Sequence, residues 1–161
     1  QPTPPDPAIS IRPYAFATCS SASSINIPDS VKSIGNKTFY NCSSLTSIKL
    51  PAGLSKIGDS AFFKCSSLKS VNIPSYVESI PNACFQGCSS LTKVELPKSV
   101  TEIQTYAFSG CTGLTRIDIP SNVKTIMRHA FDDCPDLTIY GEKGSQAEKY
   151  ARANNIKFKE L

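Results

Sequence analysis

The chain has 161 residues, of which 40% are hydrophobic and 19% are charged, and its formal net charge is +4. This balance is typical of a folded domain and excludes a disordered, highly charged chain. The sequence has no run of lysines and arginines that would follow a phosphate backbone, and no stretch approaches the roughly 20 apolar residues of a membrane span. We therefore expect no nucleic-acid partner and no membrane insertion.

Residues 1–8, QPTPPDPA, are rich in proline. Proline fixes φ and has no backbone N–H to donate, so such a segment favours an extended conformation outside a regular sheet. We interpret residues 1–8 as a proline-rich linker in front of the folded region.

From residue 9 onward the sequence repeats with a constant period of about 23 residues, a length typical of solenoid proteins. Five residue types recur at this step in one register, which indicates a solenoid of stacked units. The five columns are Phe16, Phe39, Phe62, Phe85, Phe108 and Phe131; Cys19, Cys42, Cys65, Cys88, Cys111 and Cys134; Leu45, Leu68, Leu91, Leu114 and Leu137; Ile34, Ile57, Ile80, Ile103 and Ile126; and Pro28, Pro51, Pro74, Pro97 and Pro120. A unit of this length cannot enclose its own apolar face, so neighbouring units must share one continuous core.

The first half of each unit predicts two short strands. In the second unit Ile48 and Leu50 alternate with polar residues, which is the period of a strand with one buried face. Pro51 ends this strand because proline cannot donate to a ladder. Leu54 and Ile57 then predict a second extended segment on another side of the coil.

The second half of each unit predicts a single helical turn. Asp59 is a residue type that favours the N-cap position, and the same column holds Asn36, Asn82 and Thr105. We expect the turn that follows Asp59 to place Phe62 in the core.

The segments CSSLTSIKLP…LSKIGDSAFFKC and CTGLTRIDIPSNVKTIMRHAFDDC resemble the BspA-like, or Treponema-type, leucine-rich repeats of bacterial and protozoan surface proteins. Their period lies in the roughly 20–29-residue range of leucine-rich repeats, although Cys precedes the strand here instead of following it. The resemblance covers residues 9–137. It implies an α/β leucine-rich-repeat solenoid, a right-handed β-α superhelix of short parallel strands and single helical turns with about five full repeats.

The same resemblance implies exposure on the surface of a bacterium, or secretion, and adhesion to host proteins, to matrix or to other microbes. We therefore expect a non-catalytic protein-binding module, with a structural spacer that positions another domain of a larger surface protein as the alternative. The one histidine, His129, has no column of partner residues that would make it a general base. We expect no enzyme activity and no cofactor.

Residues 138–161 depart from the repeat and resemble the closing cap of bacterial family members. Ser145 followed by Glu148 is a capping-box pattern and predicts a helix over about 145–154, with a short final strand after it. A lid with a polar outer side is what the end of a solenoid needs.

Seven cysteines leave three interpretations open: disulfides, metal ligands or packing residues. Aligned columns project in parallel from coils about 4.8 Å apart, whereas a disulfide needs Cβ atoms that converge to about 3.8 Å. Zinc sites need closely spaced ligand pairs such as C-x₂-C. We favour buried thiols that pack as small hydrophobic residues, with Cys84 in a column otherwise held by alanine, and we expect no metal site.

The outward-facing strand positions form the candidate binding site. On either side of each buried Ile or Val, two side chains stand in rows on the expected concave face of the parallel sheet. One row is Ser24, Ser47, Ser70, Lys93 and Arg116, and the other is Asn26, Lys49, Asn72, Glu95 and Asp118. The charged residues of the last two coils are placed to pair across this face. No aromatic residue is expected in either row, since Tyr76, Tyr106 and Tyr140 are assigned elsewhere.

The N-terminal coil shows no counterpart of the C-terminal cap. It keeps Ile11, Phe16 and Cys19 but has Pro4 where an inward-facing Ile or Leu is expected. An uncapped end exposes the ends of the apolar columns and the edges of strands. We therefore expect self-association through this end.

Overall fold

The computed structural model describes residues 9–161 and shows a parallel β-solenoid of about seven turns with one C-terminal helix. Each full coil contributes one strand to each of two sides. The strands of the first side are β2 (Ser24–Asn26), β4 (Ser47–Lys49), β6 (Ser70–Asn72), β8 (Lys93–Glu95), β10 (Arg116–Asp118), β12 (Thr138–Gly141) and β13 (Lys157–Glu160). Those of the second side are β1 (Ile9–Ile11), β3 (Val31–Ile34), β5 (Lys56–Ile57), β7 (Ser79–Ile80), β9 (Glu102–Ile103) and β11 (Thr125–Ile126). The helix is α1 (Gln146–Ala153).

All strand pairs are parallel, and within the regular repeats they join residues 23 positions apart in successive coils, whereas the steps into β12 and β13 are shorter. On the first side the ladders are β2–β4, β6–β8 and β10–β12–β13, and on the second side they are β1–β3–β5 and β7–β9–β11. Ile25, for example, pairs with Ile48, the residue one full repeat further along the chain. The sequence period is therefore the length of one coil, as the columns predict.

The columns of the sequence form the core as continuous stacks. Phe39 and Phe62 are fully buried, and their rings stack at 5.2 Å with planes 13° apart. The same stacking runs from Phe16 to Phe131, with ring centroids 5.2–5.5 Å apart. Burial of one such ring stabilises the fold by about 1.5–3 kcal/mol against water. Identical residues recur because each ring packs on its own copy in the next coil.

The segments expected to be single helical turns are not helices. The Phe63 N–H donates to the Ser60 carbonyl three residues earlier (3.1 Å), whereas the Phe62 N–H donates to the Cys84 carbonyl of the next coil (2.9 Å). Ser60 and Lys64 both have a left-handed φ of 55°. A helical turn would direct every N–H back within its own coil, whereas this chain of tight turns sends alternate N–H groups to the neighbouring coil.

The Asn column joins coils and does not cap helices, so the N-cap interpretation was wrong. The Asn36 side-chain oxygen accepts the N–H of Asp59 in the next coil (2.9 Å), and the Asn82 side-chain oxygen accepts the N–H of Thr105 (3.1 Å). These two side-chain bonds continue the backbone ladder where the coils of Asn36 and Asn82 leave their second strands.

The two ends of the solenoid differ. At the C-terminal end α1 begins after Ser145, whose side chain accepts the Glu148 N–H, and the buried Tyr150 packs edge-on against Phe131. At the N-terminal end Phe16 is 40% exposed, because the described chain places no ring on its outer face. The proline-rich segment 1–8 and Pro4 lie outside the described residues.

Candidate functional site

The ten residues proposed from the sequence all lie on the outward side of the first set of strands. The register pairs Ser24 with Ser47, Ser70 with Lys93, and Arg116 with Thr138. We call this surface the strand face; its residues are Ser24, Asn26, Ser47, Lys49, Ser70, Asn72, Lys93, Glu95, Arg116 and Asp118. All ten side chains are exposed, whereas the residue between the two members of each strand points into the core.

In β8 and β10 the two charged residues of the strand face pair within the strand. Lys93 Nζ lies 3.2 Å from Glu95 Oε1, and Arg116 Nε lies 2.9 Å from Asp118 Oδ1. The hydrogen bonds to Asp118 raise the pKa of the Arg116 guanidinium further above its usual range. Exposed pairs of this kind stabilise a fold by less than about 1 kcal/mol. The main effect of the pair in β10 is to fix the direction of the Arg116 side chain.

Tyr140 belongs to the strand face, which corrects the expectation that no aromatic residue lies there. Tyr140 is in register with Asp118, and the Arg116 guanidinium carbon lies 3.7 Å from the centre of its ring. The step from β10 to β12 is one residue shorter than the regular step of the columns, which leads from Asp118 to Gly141 and misses Tyr140. The signal was present in the sequence, since the buried isoleucine comes one position earlier after Leu137 than it does in the preceding repeat.

The final strand extends the strand face beyond the repeats. Lys157 pairs with Thr138, and Lys159 pairs with Tyr140. Both lysines are exposed. The C-terminal end of this face therefore carries an arginine, a tyrosine and further lysines close together, while its N-terminal end carries small polar side chains.

Two open grooves run along the strand face. One, of about 540 Å³, is lined by Lys93, Glu95, Leu96, Arg116 and Asp118, among others. It lies where the sheet is interrupted, because β8 and β10 belong to different ladders. The other groove, of about 650 Å³, is lined by Lys49, Asn72 and Glu95 of the strand face, among others. It also reaches Pro74 and Pro97, which follow the strands of the third and fourth coils. Both grooves are open to solvent along their length, as suits an extended partner more than an enclosed small molecule.

The cysteines are packed in the core and are all free thiols. Each thiol from Cys42 to Cys134 in the repeat column donates to a phenylalanine carbonyl of the preceding coil; for Cys65 the acceptor is Phe39, at 3.1 Å. Burial raises the pKa of Cys65 to about 12 and that of Cys134 to about 11. Because the thiolate is the nucleophile and the metal ligand, these buried thiols are poorly suited to either role.

His129 is an exposed residue on a turn. Its Nδ1 lies 2.6 Å from an Asp132 carboxylate oxygen, and its ring stacks on Tyr106 at 5.0 Å. Within residues 9–161 no serine, threonine or cysteine is hydrogen-bonded to it. The same residues contain no group of His, Cys, Asp and Glu that could hold a metal ion. The one helix of the described chain is too short to cross a membrane.

The family model of the BspA-type leucine-rich repeat region matches residues 9–138, in six copies. The chain belongs to this family. The matched residues cover the solenoid expected from the sequence over residues 9–137. A comparison with curated proteins found no match.

Solved structures of bacterial leucine-rich repeat proteins share this fold. A leucine-rich cell surface protein of Faecalibacterium prausnitzii is 35% identical with a TM-score of 0.64, over 82% of this chain and 42% of that protein. The T. pallidum leucine-rich repeat protein is 30% identical with a TM-score of 0.81, over 95% of this chain and 79% of that one. A leucine-rich repeat protein of Eubacterium ventriosum is 27% identical with a TM-score of 0.73, over 80% and 37%. The chain thus spans less than half of the first and third of these relatives.

Proposed function

We propose that this chain is a non-catalytic protein-binding module of a bacterial cell-surface or secreted protein and that it acts in adhesion. Membership of the BspA-type family supports the proposal, and so does the cell-surface description of the Faecalibacterium relative. The partner is a protein of the host matrix or of another microbe. Antibody labelling of intact cells tests the location, and labelling that requires permeabilised cells would contradict it.

The strand face is the proposed binding surface, and the stack of Arg116 on Tyr140 is the observation that carries this assignment. Arginine and tyrosine, together with tryptophan, are the residue types that most often dominate binding energy in protein interfaces. Asp118 fixes the guanidinium with two hydrogen bonds of 2.9 and 3.3 Å, so little side-chain freedom is lost when a partner binds.

Binding to a panel of immobilised, purified extracellular-matrix proteins tests this assignment. The double variant Arg116→Ala/Tyr140→Ala is expected to bind more than about tenfold more weakly than the parent chain. The matched control Arg128→Ala/Tyr106→Ala removes the same two residue types from a turn and is expected to bind like the parent. Equal losses in the two double variants would show that the strand face is not the binding surface.

A structural spacer is the second candidate function. It is favoured by the pairing of Lys93 with Glu95 and of Arg116 with Asp118, which leaves these charges satisfied without a partner. A spacer binds no member of the panel, and its contribution depends on its length. In the longer protein, exchange for an unrelated rigid solenoid of equal length would then preserve function. Loss of function after that exchange would contradict the spacer.

We further propose that two copies associate through the N-terminal coil. Ile9 is 50% exposed and Tyr14 is 57% exposed, and β1 has one unpaired edge in the described chain. Exposed strand edges and apolar side chains favour pairing with another chain. Sedimentation should therefore show a mass that rises with concentration and that falls in the variant Ile9→Ser/Phe16→Ser. A monomer at every concentration would remove this proposal.

A further inference from the structure

Aromatic rings and ammonium groups gather on the turn segments of the first three coils. The rings of Tyr40 and Phe63 stack at 4.9 Å with planes 8° apart. Lys37 Nζ lies 5.5 Å from the ring centre of Tyr14 and 5.8 Å from that of Tyr40. Lys64 Nζ lies 5.5 Å from the ring centre of Phe63. Each of these residues neighbours the next across the surface of the turns. We call them the turn-face cluster; its members are Tyr14, Lys37, Tyr40, Phe63 and Lys64.

The aromatic residues of the turn-face cluster are not part of the core. Tyr14 is mostly exposed and Tyr40 and Phe63 are half-buried, in contrast to the fully buried Phe62 beside them. In later coils the position of Phe63 is held by polar residues, Gln86, Ser109 and Asp132. The fold therefore does not need aromatic side chains there. Half-buried rings grouped in this way are available to a partner, which gains by covering them.

The two lysines of the cluster lie over rings and are not paired with acidic groups. None of the ion pairs among residues 9–161 includes Lys37 or Lys64. Asp59 is the acidic neighbour, and its backbone carbonyl accepts the Lys37 N–H (2.9 Å) while its carboxylate pairs with neither lysine. On the strand face, by contrast, Lys93 is paired with Glu95 of its own strand. The turn-face cluster therefore presents two cations that an external carboxylate can satisfy.

The backbone holds both lysines in a conformation that disfavours side chains. Lys37 has a φ of 56° and Lys64 a φ of 55°. The positions equivalent to Lys64 in the next two coils are Gly87 and Gly110, with φ of 76° and 74°. A Cβ on Gly87 would lie 3.1 Å from Lys64 Cγ, so the glycine leaves room for the lysine stem. This φ belongs to the turn itself, and the fold accepts different side chains in it, so it does not require lysine there; the residues equivalent to Lys64 in the other coils that are not glycine are Thr18, Asn41 and Asp133.

We propose that the turn-face cluster binds an acidic segment of a partner polypeptide that also carries aromatic or apolar side chains. Carboxylates of the segment pair with Lys37 and Lys64, and its apolar side chains cover Tyr40 and Phe63. The stacked rings turn their faces to each other and leave edges outward, and ring edges carry partial positive charge that favours an anion. This surface is independent of the strand face and shares no residue with it.

Fluorescence anisotropy with a labelled copolymer of glutamate and tyrosine tests the proposal. The variant Lys37→Gln/Lys64→Gln is expected to bind the copolymer about tenfold more weakly, a loss that corresponds to two lysine–carboxylate pairs near the surface. The matched control Lys56→Gln/Lys98→Gln removes the same charge from exposed lysines elsewhere and is expected to bind like the parent. A glutamate homopolymer of equal length is expected to bind more weakly than the copolymer, because it leaves the rings uncovered.

The variant Lys64→Gly separates binding from folding. Glycine suits the left-handed φ at this position, so the melting temperature is expected to be no lower than that of the parent while copolymer binding weakens. Equal losses in the two double glutamine variants would overturn the proposal. Tighter binding of heparin or of phosphatidylglycerol vesicles than of the copolymer, with the same dependence on Lys37 and Lys64, would also overturn it. Changes to Arg116 and Tyr140 leave this test unaffected, so it fails or succeeds independently of the strand face.

Discussion

Each cysteine of the repeat column from Cys42 to Cys134 completes the hydrogen bonding of a phenylalanine carbonyl. The Phe39 carbonyl accepts the Cys42 N–H of its own coil (3.1 Å) and the Cys65 thiol of the next coil (3.1 Å). A thiol is small enough for the stacked core and still offers one weak donor. This explains why a cysteine recurs at this position of each repeat without forming a disulfide. The reactivity of each thiol therefore tests whether it is buried in the core.

Thiol labelling of the folded protein is expected to be fast at one position. Cys19 is half-buried and the other six cysteines are buried, so a thiol reagent at pH 8 should label Cys19 first and the others only after unfolding. Mass spectrometry of the labelled peptides checks this. The variant Cys19→Ala is the control and should show no fast phase. Fast labelling of Cys65 or Cys88 would contradict the buried column.

Alkaline pH is expected to destabilise the fold through the same thiols. Burial raises the pKa of Cys65 from 9.0 to about 12, so above pH 9 the unfolded chain loses a proton that the folded chain keeps. Stability is therefore full below pH 9 and falls as the pH rises toward 12, by about 1.4 kcal/mol at pH 10 for this thiol. Urea unfolding at pH 7 and pH 10 measures the loss, which should be smaller in Cys65→Ala. An equal loss in that variant would contradict the assignment.

At the scale of the element, the strands could be predicted from the sequence and the turns could not. Ile48 and Leu50 define their strand by alternation, and the structure confirms a strand over Ser47–Lys49. The first left-handed position of each turn carries no glycine signature, since its column holds Tyr14, Lys37, Ser60, Ala83, Tyr106 and His129. Local propensity therefore favours a helical turn there, and contacts with the next coil override it. Such contacts are invisible in a single repeat.

Close approach between coils predicts a different cost for alanine at two glycines. A Cβ on Gly58 would lie 2.4 Å from the backbone of Gly35 and of Asn36 in the preceding coil. Gly58→Ala must push the coils apart and is expected to cost about 2–3 kcal/mol of unfolding free energy. A Cβ on Gly53 would meet only the end of the flexible Lys32 side chain, so Gly53→Ala is expected to change stability by less than about 0.5 kcal/mol. Chemical unfolding of both variants measures the contrast, and similar values would contradict the close approach.

At the scale of the molecule, the regular step of about 23 residues made most of the fold predictable, whereas the shortened step from β10 to β12 concealed part of the candidate site. The repeat columns placed the strand face from Ser24 to Asp118 in its observed rows. The shortened step into β12 brought Tyr140 beside Arg116, where a fixed period could not place it. A one-residue shift moves every side chain of a strand to the opposite face, so register errors affect the site before they affect the fold.

The C-terminal cap replaces the neighbouring coil that the last repeat lacks. In the repeats the N–H of each core phenylalanine donates to the next coil, as Phe108 does to the Ala130 carbonyl (2.8 Å). For Phe131 the acceptor is the Tyr150 hydroxyl (3.3 Å), and the Tyr150 ring closes the stack edge-on at 5.8 Å. One side chain thus supplies both the missing acceptor and the missing ring.

Replacement of that hydroxyl should therefore loosen one end of the solenoid and leave the other unchanged. Tyr150→Phe keeps the ring but leaves the Phe131 N–H without an acceptor, which is expected to cost about 1–3 kcal/mol. Because each coil contacts only its neighbours, hydrogen exchange should speed up at Phe131 and Leu137 but not at Phe39. Tyr106→Phe is the control, since its hydroxyl makes no hydrogen bond within residues 9–161. Faster exchange along the whole chain would show that the coils unfold as one unit and that the cap does not act locally.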